Sequence, residues 1–426
     1  MSIVYFFFAI LTLILLVDFK KGVLLYAPMK LFFNINVRFG SFTFDLAMST
    51  LVLFLFLIKH KKLKNSAFPM AKYFWVYSFG YCLTCLFPDF VPNMIPRILV
   101  IVLAFSYVYF YCLQTKDDVK FAVLSYAIFA IIMCVNGLLE PMMHINPLDE
   151  FMQSISDADN SLFIDNEWVR MGQVRYRSFI PHAISYGVAC CVIFYSLIWH
   201  YLSVKENMLM RVVVLGAIVL SLSGMIICGS RTPILGLLPL SYILFDKKYV
   251  SIKMRWRLIL LIFVFVLLEG DYIIYSIDSI INSKAAEDAG GSSTDMRLCQ
   301  YSLALDWMLE NPLFGKGMNF DAYSANSSIL GGESVWIPLI MNNGIVGVVS
   351  YAYLCWGTYK VFAKSSGKVF LLVFSLGWLI MRTATSLIGV TDAQFFTCMF
   401  IIYRYYQINE YFENIKDDSV NYYSCI

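Results

Sequence analysis

Residues 119–138 read VKFAVLSYAIFAIIMCVNGL, with one charged side chain, Lys120. The length of this run matches the roughly 20 apolar residues that an α-helix needs to cross a bilayer. Similar runs recur along the 426-residue chain, of which 60% is hydrophobic and only 14% is charged. A soluble core could not bury that much apolar surface, so the sequence predicts an integral membrane protein.

The apolar runs are continuous rather than alternating, and backbone polar groups in lipid must find partners within their own segment, which favours helices over a barrel. The sequence therefore predicts an all-α fold, a polytopic transmembrane helical bundle with about twelve spans. The expected spans are residues 2–17, 42–58, 71–87, 95–113, 119–138, 179–198, 212–227, 233–245, 258–268, 337–362, 369–388 and 393–406. Asp18, Lys20 and Lys21 follow the first span without a small-residue cleavage site, so we expect it to stay in the mature protein.

Basic connectors predict the orientation of the chain. They lie at residues 59–64, 116–120, 205–211 and 247–257. With twelve spans all four fall on one side, which is then the cytoplasmic side, together with both termini. Lys20, Lys21, Lys30 and Arg38 violate this pattern, which leaves open a further membrane element at residues 22–35.

This arrangement divides the chain into six parts. They are N-terminal transmembrane helices (1–138), a first large outer loop (139–178), middle transmembrane helices (179–268), a second large outer loop expected to be catalytic (269–335), C-terminal transmembrane helices (336–406) and a cytoplasmic tail (407–426). Loops positioned by a rigid scaffold commonly carry function, so we expect the chemistry in the two outer loops.

Composition also limits the function classes. A net charge of +3 is too small to indicate a nucleic-acid partner. The sequence also contains no nucleotide-binding loop that would indicate an ATP-driven machine. Cys82 and Cys85 have the spacing of a metal pair, but no second pair follows, so we expect no metal site.

Arg231 lies in residues 227–233 (ICGSRTP), a tight break between two apolar runs at the outer face. A charge there is costly unless it has a partner. It can snorkel to lipid headgroups, or a guanidinium fork beside helical backbone freed at the break can hold an anion such as a diphosphate.

Two further candidates lie in the second outer loop. Arg297 follows a flexible stretch, residues 290–296, and precedes a predicted helix at residues 298–310; it can pair with Asp295 or Asp306, or bind substrate. Glu333, in residues 331–336 (GGESVW), can act as a general base or can be a carboxylate favoured at a helix N-terminus.

Five features, taken in order, resemble the O-antigen polymerase and O-antigen ligase superfamily. They are ICGSRTP, the arginine before a tryptophan-containing helix, NPLFGKG (311–317), GGESVW and NGIVG (343–347). The resemblance covers mainly residues 227–350. Residues 177–182 (RSFIPH) add support, because they are similar to the segment that ends the family's earlier outer loop.

The resemblance implies a GT-C-like membrane glycosyltransferase in a bacterial inner membrane, with its active site facing the periplasm. It implies metal-independent, inverting transfer without a cofactor, between donor and acceptor oligosaccharides linked to undecaprenyl diphosphate. Arg231 and Arg297 match the family's diphosphate-binding arginines. Ligases of the family have a histidine where this chain has Glu333, which favours a polymerase, and a polymerase can depend on a chain-length regulator protein.

Other candidates are open to two interpretations each. Arg382 lies about 21 Å along a helix from Lys368, so it should face protein or water; it can line the donor cavity or pair with Asp392. Arg170, Arg175 and Arg177 can hold phosphate or an acidic glycan, or can form a solvated charge cluster balanced by Asp165 and Glu167. Trp336 can stack on a sugar or anchor the chain at the membrane interface.

Two alternative functions remain open. Ligation of the glycan to a lipid core or a protein uses the same scaffold. A lipid-linked glycan flippase or another transporter also has many apolar spans, but transporters place polar residues at mid-membrane on paired halves. Here the polar residues gather at one face and in the outer loops, which favours an enzyme.

Overall fold

The computed structural model describes residues 2–33, 37–39, 42–60, 68–155, 169–170, 173–246, 252, 255–256, 294–326, 334–385 and 390–423. Helices account for nearly all of them, so the predicted all-α class is confirmed, and the chain is a polytopic helical membrane protein. The α-helices are α1 (Ser2–Val17), α2 (Phe19–Met29), α3 (Phe44–His60), α4 (Ala71–Leu86), α5 (Phe105–Cys112), α6 (Lys116–Met143), α7 (Pro147–Ile155), α8 (Ala183–Ser203), α9 (Met208–Ile227), α10 (Arg231–Leu237), α11 (Leu240–Phe245), α12 (Thr294–Glu310), α13 (Ala322–Ala325), α14 (Trp336–Phe362), α15 (Lys368–Ala384) and α16 (Val390–Tyr423).

Shorter elements complete the described fold. A 3₁₀ turn at Pro92–Met94 precedes a π-helix at Arg97–Ala104, which continues directly into α5. Two antiparallel ladders join β1 (Arg38–Phe39) to β2 (Phe42–Thr43) and β3 (Val169–Arg170) to β4 (Gln173–Val174).

Each predicted span in the described part of the chain overlaps at least one helix. Five helical segments of the described chain are long and apolar enough to cross a membrane: Pro92–Cys112, Lys116–Met143, Ala183–Ser203, Met208–Ile227 and Trp336–Phe362. Ile3–Val17 and Arg231–Phe245 are shorter apolar helices. The predicted span at 258–268 lies outside the described residues, and the total of twelve stays a prediction.

Helix α8 lies at the centre of the bundle. Its apolar window is 83% buried within the protein, the largest value among the five candidate spans, and it packs against α9, α10 and α16. Helix α9, next to it, has only 28% of its window buried, as expected for a helix that faces lipid.

Lys30 is a buried residue rather than a loop charge. Its Nζ lies 2.6 Å from Asp45 Oδ1 and donates to Ser49 Oγ at 2.8 Å, while the Tyr26 hydroxyl donates to the same carboxylate oxygen at 2.7 Å. A buried charge needs such a partner. Lys30 is therefore paired inside the bundle. Helix α2 covers part of residues 22–35, and a membrane crossing there stays a prediction.

The predicted span at 337–362 coincides with α14, but this helix is broken at Gly344. This glycine has φ 58° and ψ −157°, and the rings of Trp336 and Tyr351 lie 5.5 Å apart. In one straight helix fifteen residues would separate their backbones by about 22 Å. The helix therefore consists of a short arm, residues 336–343, folded back on a long arm, residues 345–362.

The break is filled by the loop that carries NPLFGKG. In an unbroken helix the amides of Ile345 and Val346 would bond the carbonyls of Met341 and Asn342. Here they bond Pro312 O at 2.9 Å and Leu313 O at 3.2 Å, and the two helix carbonyls accept from Lys316 N at 2.8 Å and Gly317 N at 3.2 Å. At these four positions the loop provides the hydrogen-bond partner that the break in the helix removes.

Candidate functional site

Arg231 begins α10 immediately after the predicted turn. Gly229 adopts φ +59°, a conformation that favours glycine, and Ser230 is extended and buried. Along α10, Gly236 packs against Met381 of α15. Arg231 thus lies about 7.5 Å along the helix from this contact.

Arg175 contacts the turn that precedes Arg231, a contact that the sequence did not predict. Its Nε donates to Cys228 O at 3.3 Å, and a Cβ added to Gly229 would lie 2.9 Å from Arg175 Cγ. The next amide, Tyr176 N, donates to Ile227 O at 3.2 Å. Residues 175 and 176 therefore hold the turn that precedes Arg231, and only the crowding of arginines at 170–177 indicated this.

Arg177 is buried, and so the solvated charge cluster expected here is wrong for the described residues 175 and 177. Both arginines are 8% exposed, and Arg177 Nη2 lies 2.6 Å from Asp149 Oδ2 on α7. The proposed acidic partners Asp165 and Glu167 lie outside the described residues. Burial raises the pKa of Asp149, and the nearby Arg177 opposes that rise.

A network of amides continues this anchor. Asn136 Nδ2 donates to Asn146 Oδ1 at 2.6 Å and to Ser178 Oγ at 2.9 Å, and Asn146 Nδ2 donates to Ser178 O at 2.7 Å. Next to it, His182 Nδ1 accepts from Ile184 N at 3.1 Å. Burial, with a smaller effect of Arg175 and Arg177, lowers the pKa of His182 to about 4, so this histidine is neutral at pH 7.

Arg297 lies in the first turns of α12, which extends the predicted helix at 298–310 by four residues at its N-terminus. One turn further on, the Tyr301 hydroxyl hydrogen-bonds Ser334 Oγ at 2.8 Å. Ala304 of the same helix packs against Ile337 and Met341 of the short arm. Arg297 therefore lies one helical turn from Tyr301, whose hydroxyl bonds the residue that follows Glu333.

Arg382 is fully buried near the C-terminal end of α15. Its Nε lies 3.5 Å from Asp392 Oδ1, and its guanidinium carbon lies 5.3 Å from the centre of the Trp378 ring. The pairing with Asp392, one of the two sequence-based interpretations, is present. Within the described residues its two Nη atoms make no hydrogen bond of good geometry, although the Tyr351 hydroxyl lies near enough to interact with the charge.

The start of the short arm is where these elements meet. Val335 N donates to Arg382 O at 2.9 Å, Ser334 bonds Tyr301, and Trp336 packs edge-on against Tyr351. Glu333, the residue just before Ser334, lies outside the described residues. The structure thus brings α12, α15 and the short arm together, with α10 packed on α15 beside them.

No metal centre is formed by the described part of the chain. Its His, Cys, Asp and Glu side chains do not gather in groups of three or more that could hold an ion. The polar groups that converge beside the short arm are guanidinium, hydroxyl and backbone amide donors, which suit an anionic ligand.

Comparison with known proteins adds the family. A model of the O-antigen ligase family (Wzy_C) matches residues 216–352. No curated protein matches the sequence significantly. The matched region runs from α9 into the long arm of α14, and so includes Arg231, Arg297, Glu333 and the break at Gly344. Residues 216–352 are therefore a Wzy_C domain of the O-antigen ligase and polymerase family, whose bacterial membrane glycosyltransferases transfer lipid-linked glycans.

Proposed function

We propose that this protein is a polysaccharide repeat-unit polymerase. It transfers a glycan from polyprenyl diphosphate to the non-reducing end of another lipid-linked repeat unit, and the product is O-antigen, capsule or another exopolysaccharide. The main support is the meeting of α12, α15 and the short arm at residues 334–336, directly after Glu333.

In the proposed reaction, the acceptor hydroxyl oxygen attacks the anomeric carbon opposite the diphosphate. The new C–O bond forms while the sugar–phosphate bond breaks, and its electron pair leaves with the polyprenyl diphosphate. Arg231 and Arg297 stabilise the charge that develops on this leaving group. The Glu333 carboxylate takes the hydroxyl proton as general base.

Three more residues have proposed roles. Arg382 lines the donor cavity near the leaving diphosphate, and its pairing with Asp392 keeps the guanidinium charged within the bundle. Trp336 provides an aromatic face for a sugar beside Glu333. Arg177 was predicted to bind substrate, and its pairing with Asp149 also suits it to holding the first outer loop.

The proposal includes a topology. Twelve spans place both termini in the cytoplasm and the loops at 139–178 and 269–335 in the periplasm of a bacterium, where donor and acceptor are available. Neither a cofactor nor ATP enters the reaction, because the energy comes from cleavage of the sugar–diphosphate bond. A chain-length regulator is the proposed protein partner.

Glu333 is the feature that favours polymerase over ligase, because ligases place a histidine at the corresponding point. The two reactions share a donor and differ only in the acceptor. Supplying both a lipid-linked repeat unit and a lipid core as competing acceptors therefore separates them directly.

The test uses purified protein in liposomes with a polyprenyl-diphosphate-linked repeat unit, without ATP or metal. We expect a ladder of products on a gel, abolished by Arg231→Ala and by Glu333→Ala. Arg211→Ala is the matched control, because Arg211 is an exposed arginine stacked on Tyr201 at the other end of α9. Single transfer to a core acceptor would indicate a ligase, and unchanged substrate that moves to the opposite leaflet would indicate a transporter.

A further inference from the structure

Helix α12 presents a row of exposed leucines. Leu298, Leu305 and Leu309 are 62%, 45% and 68% exposed. With 3.6 residues per turn, these three side chains fall within about 40° of one another around the helix axis. Leu313, in the loop that follows the helix, is exposed as well. We call Leu298, Leu305 and Leu309 the leucine edge.

The neighbouring edge of the same helix is acidic. Asp295, Asp306 and Glu310 are exposed and lie about 60–120° around the axis from Leu298, all on one side of it. We call these three residues the acidic edge. A helix that lies at a membrane surface turns an apolar side to the acyl chains and a charged side to water. The two edges of α12 have this arrangement.

Distances along α14 and α15 place the short arm beside the end of a membrane span. Gly344 lies 18 residues before the end of α14, or about 27 Å of helix, and Arg382 lies 14 residues after the start of α15, or about 21 Å. A short turn, residues 363–367, joins the two helices. Because Arg382 O accepts from Val335 N at 2.9 Å, the short arm begins about 6 Å nearer to this turn than Gly344 does.

Helix α12 runs beside the short arm in the same direction. The Tyr301 hydroxyl bonds Ser334, and Pro312 O accepts from Ile345 N, so the partners are 33 residues apart at both points. Between these points Ala304 packs against the short arm. Since α14 is long and apolar enough to cross a membrane, α12 lies at the depth where this span ends.

The leucine edge is also continuous with a helix that faces lipid. The ring of Phe314, which follows Leu313, lies 5.4 Å from the ring of Phe87 at the end of α4. Helix α4 packs along α14 and exposes the large side chains of Trp75 and Phe79. Side chains this large and apolar face the bilayer when they are exposed on a membrane-embedded helix. The apolar surface therefore extends from the membrane-facing side of α4 to α12.

We propose that the leucine edge of α12 binds the bilayer, so that this helix lies in the membrane interface with its acidic edge in water. The contact goes beyond glycan transfer, but its consequence rests on the proposed function. Arg297 lies about 100° from Leu298, on the side away from the acidic edge. A lipid diphosphate joins a tail in hydrocarbon to a glycan in water, so it lies at the same interface. The bilayer thus sets the depth of Arg297 relative to its ligand.

Nitroxide labels test the contact without using activity. One label is attached in turn at Leu305→Cys, Leu309→Cys and Asp306→Cys, in protein in which Cys425 and the exposed Cys299 are replaced by serine. Collision rates are measured in liposomes by electron paramagnetic resonance, and the protein without an added cysteine gives the background. At positions 305 and 309 we expect oxygen, which concentrates in lipid, to collide about threefold more often than a water-soluble nickel chelate. Position 306 should show the reverse.

Two outcomes of this measurement would overturn the proposal. More frequent collisions with the nickel chelate at positions 305 and 309 would place the leucine edge in water. Few collisions with either reagent would show that protein, such as a second copy of the chain, covers it. Both outcomes are read from the labels alone, whether or not the protein polymerises glycans.

Two matched substitutions test the consequence for Arg297. Leu309→Glu places a charge in the membrane contact, where it is costly, and Cys299→Glu places the same charge beside the acidic edge. We expect glycan transfer in liposomes to be about tenfold slower for Leu309→Glu and unchanged for Cys299→Glu. If Leu309→Glu does not fold, as judged by size-exclusion chromatography in detergent, Leu305→Glu tests the same edge. Unchanged transfer in a folded leucine variant would show that the bilayer does not position Arg297.

Discussion

Gly315 and Gly344 pack backbone against backbone. A Cβ added to Gly344 would lie 2.6 Å from Gly315 N, and one added to Gly315 would lie 2.9 Å from Gly344 N. Both have positive φ, +68° and +58°. Two glycine motifs that are distant in the sequence are therefore the two halves of one joint, which fixes the short arm against the second outer loop.

Gly344→Ala should break this joint, because alanine disfavours the backbone conformation and its methyl group meets the Leu313 carbonyl. We expect a loss of about 1–3 kcal/mol in the free energy of unfolding, with a fall in activity. Thermal unfolding in detergent measures the loss of stability. Gly216→Ala is the control, because its Cβ would meet nothing within 4 Å on α9, and there alanine should be neutral or stabilising by up to about 1 kcal/mol.

Arg175→Met should misplace Arg231 without removing it. Methionine keeps the packing on Gly229 but loses the bond to Cys228 O, so we expect about tenfold slower transfer with KM little changed. Arg175→Lys should recover part of the rate through charge and reach. Arg211→Met should have no effect; equal losses at both arginines would argue against a positioning role.

Asp392→Asn should leave Arg382 buried without its counter-ion, at a cost of about 3–5 kcal/mol in unfolding free energy. The double variant Arg382→Met/Asp392→Leu should regain stability. If the double variant also regains glycan transfer, the only role of Arg382 is to pair with Asp392. We expect glycan transfer to stay lost, because the arginine lines the donor cavity. The corresponding double variant at Lys30 and Asp45 should regain both stability and glycan transfer.

Tyr301→Phe should uncouple α12 from the short arm, because it removes the hydroxyl that bonds Ser334. We expect slower transfer with a stability loss of only about 0.5–1.5 kcal/mol. A double-mutant cycle with Ser334→Ala measures the coupling in kcat. Additive effects of the two substitutions would show that the bond does not align the site.

His182 should make the fold sensitive to acid. Its folded pKa of about 4 is below the ordinary 6.5, so the unfolded state binds more protons between these values and stability falls as pH drops from 6.5 to 4. The full effect is about 3 kcal/mol, at 1.36 kcal/mol per pKa unit. Asp149, whose pKa is raised, acts in the opposite direction.

His182→Asn isolates the histidine contribution, because asparagine can still accept the bond from Ile184 N but does not titrate. Between pH 7 and pH 4 the unfolding temperature of the wild-type protein should fall relative to that of the variant. Parallel curves over that range would assign the acid sensitivity to other groups.

The sequence predicted where most helices lie, because a bilayer demands long apolar segments wherever the chain crosses it. The helix at Ser2–Val17 has the predicted bounds. The fold-back at Gly344 could not be predicted, because residues 337–362 are apolar on both sides of the glycine and the bonds that replace the helical ones come from residues 312–317.

The candidate site was predicted less completely. Motif order identified Arg231 and Arg297. Arg231 lies on α10, which packs on α15, and Arg297 lies on α12, which packs beside the short arm. The contacts of Arg175 and Tyr301 were not predicted, because their partners, Cys228 and Ser334, are 53 and 33 residues away in the sequence. Contacts at that separation depend on how the helices pack, which local patterns do not report.

The ion pair between Lys30 and Asp45 also constrains how the protein is made. The two residues are fifteen positions apart, so the lysine reaches the insertion machinery before its carboxylate does. A lone ammonium is costly in hydrocarbon. Helix α2 therefore cannot settle in its final place by itself, and α2 and α3 must leave the translocon as a pair.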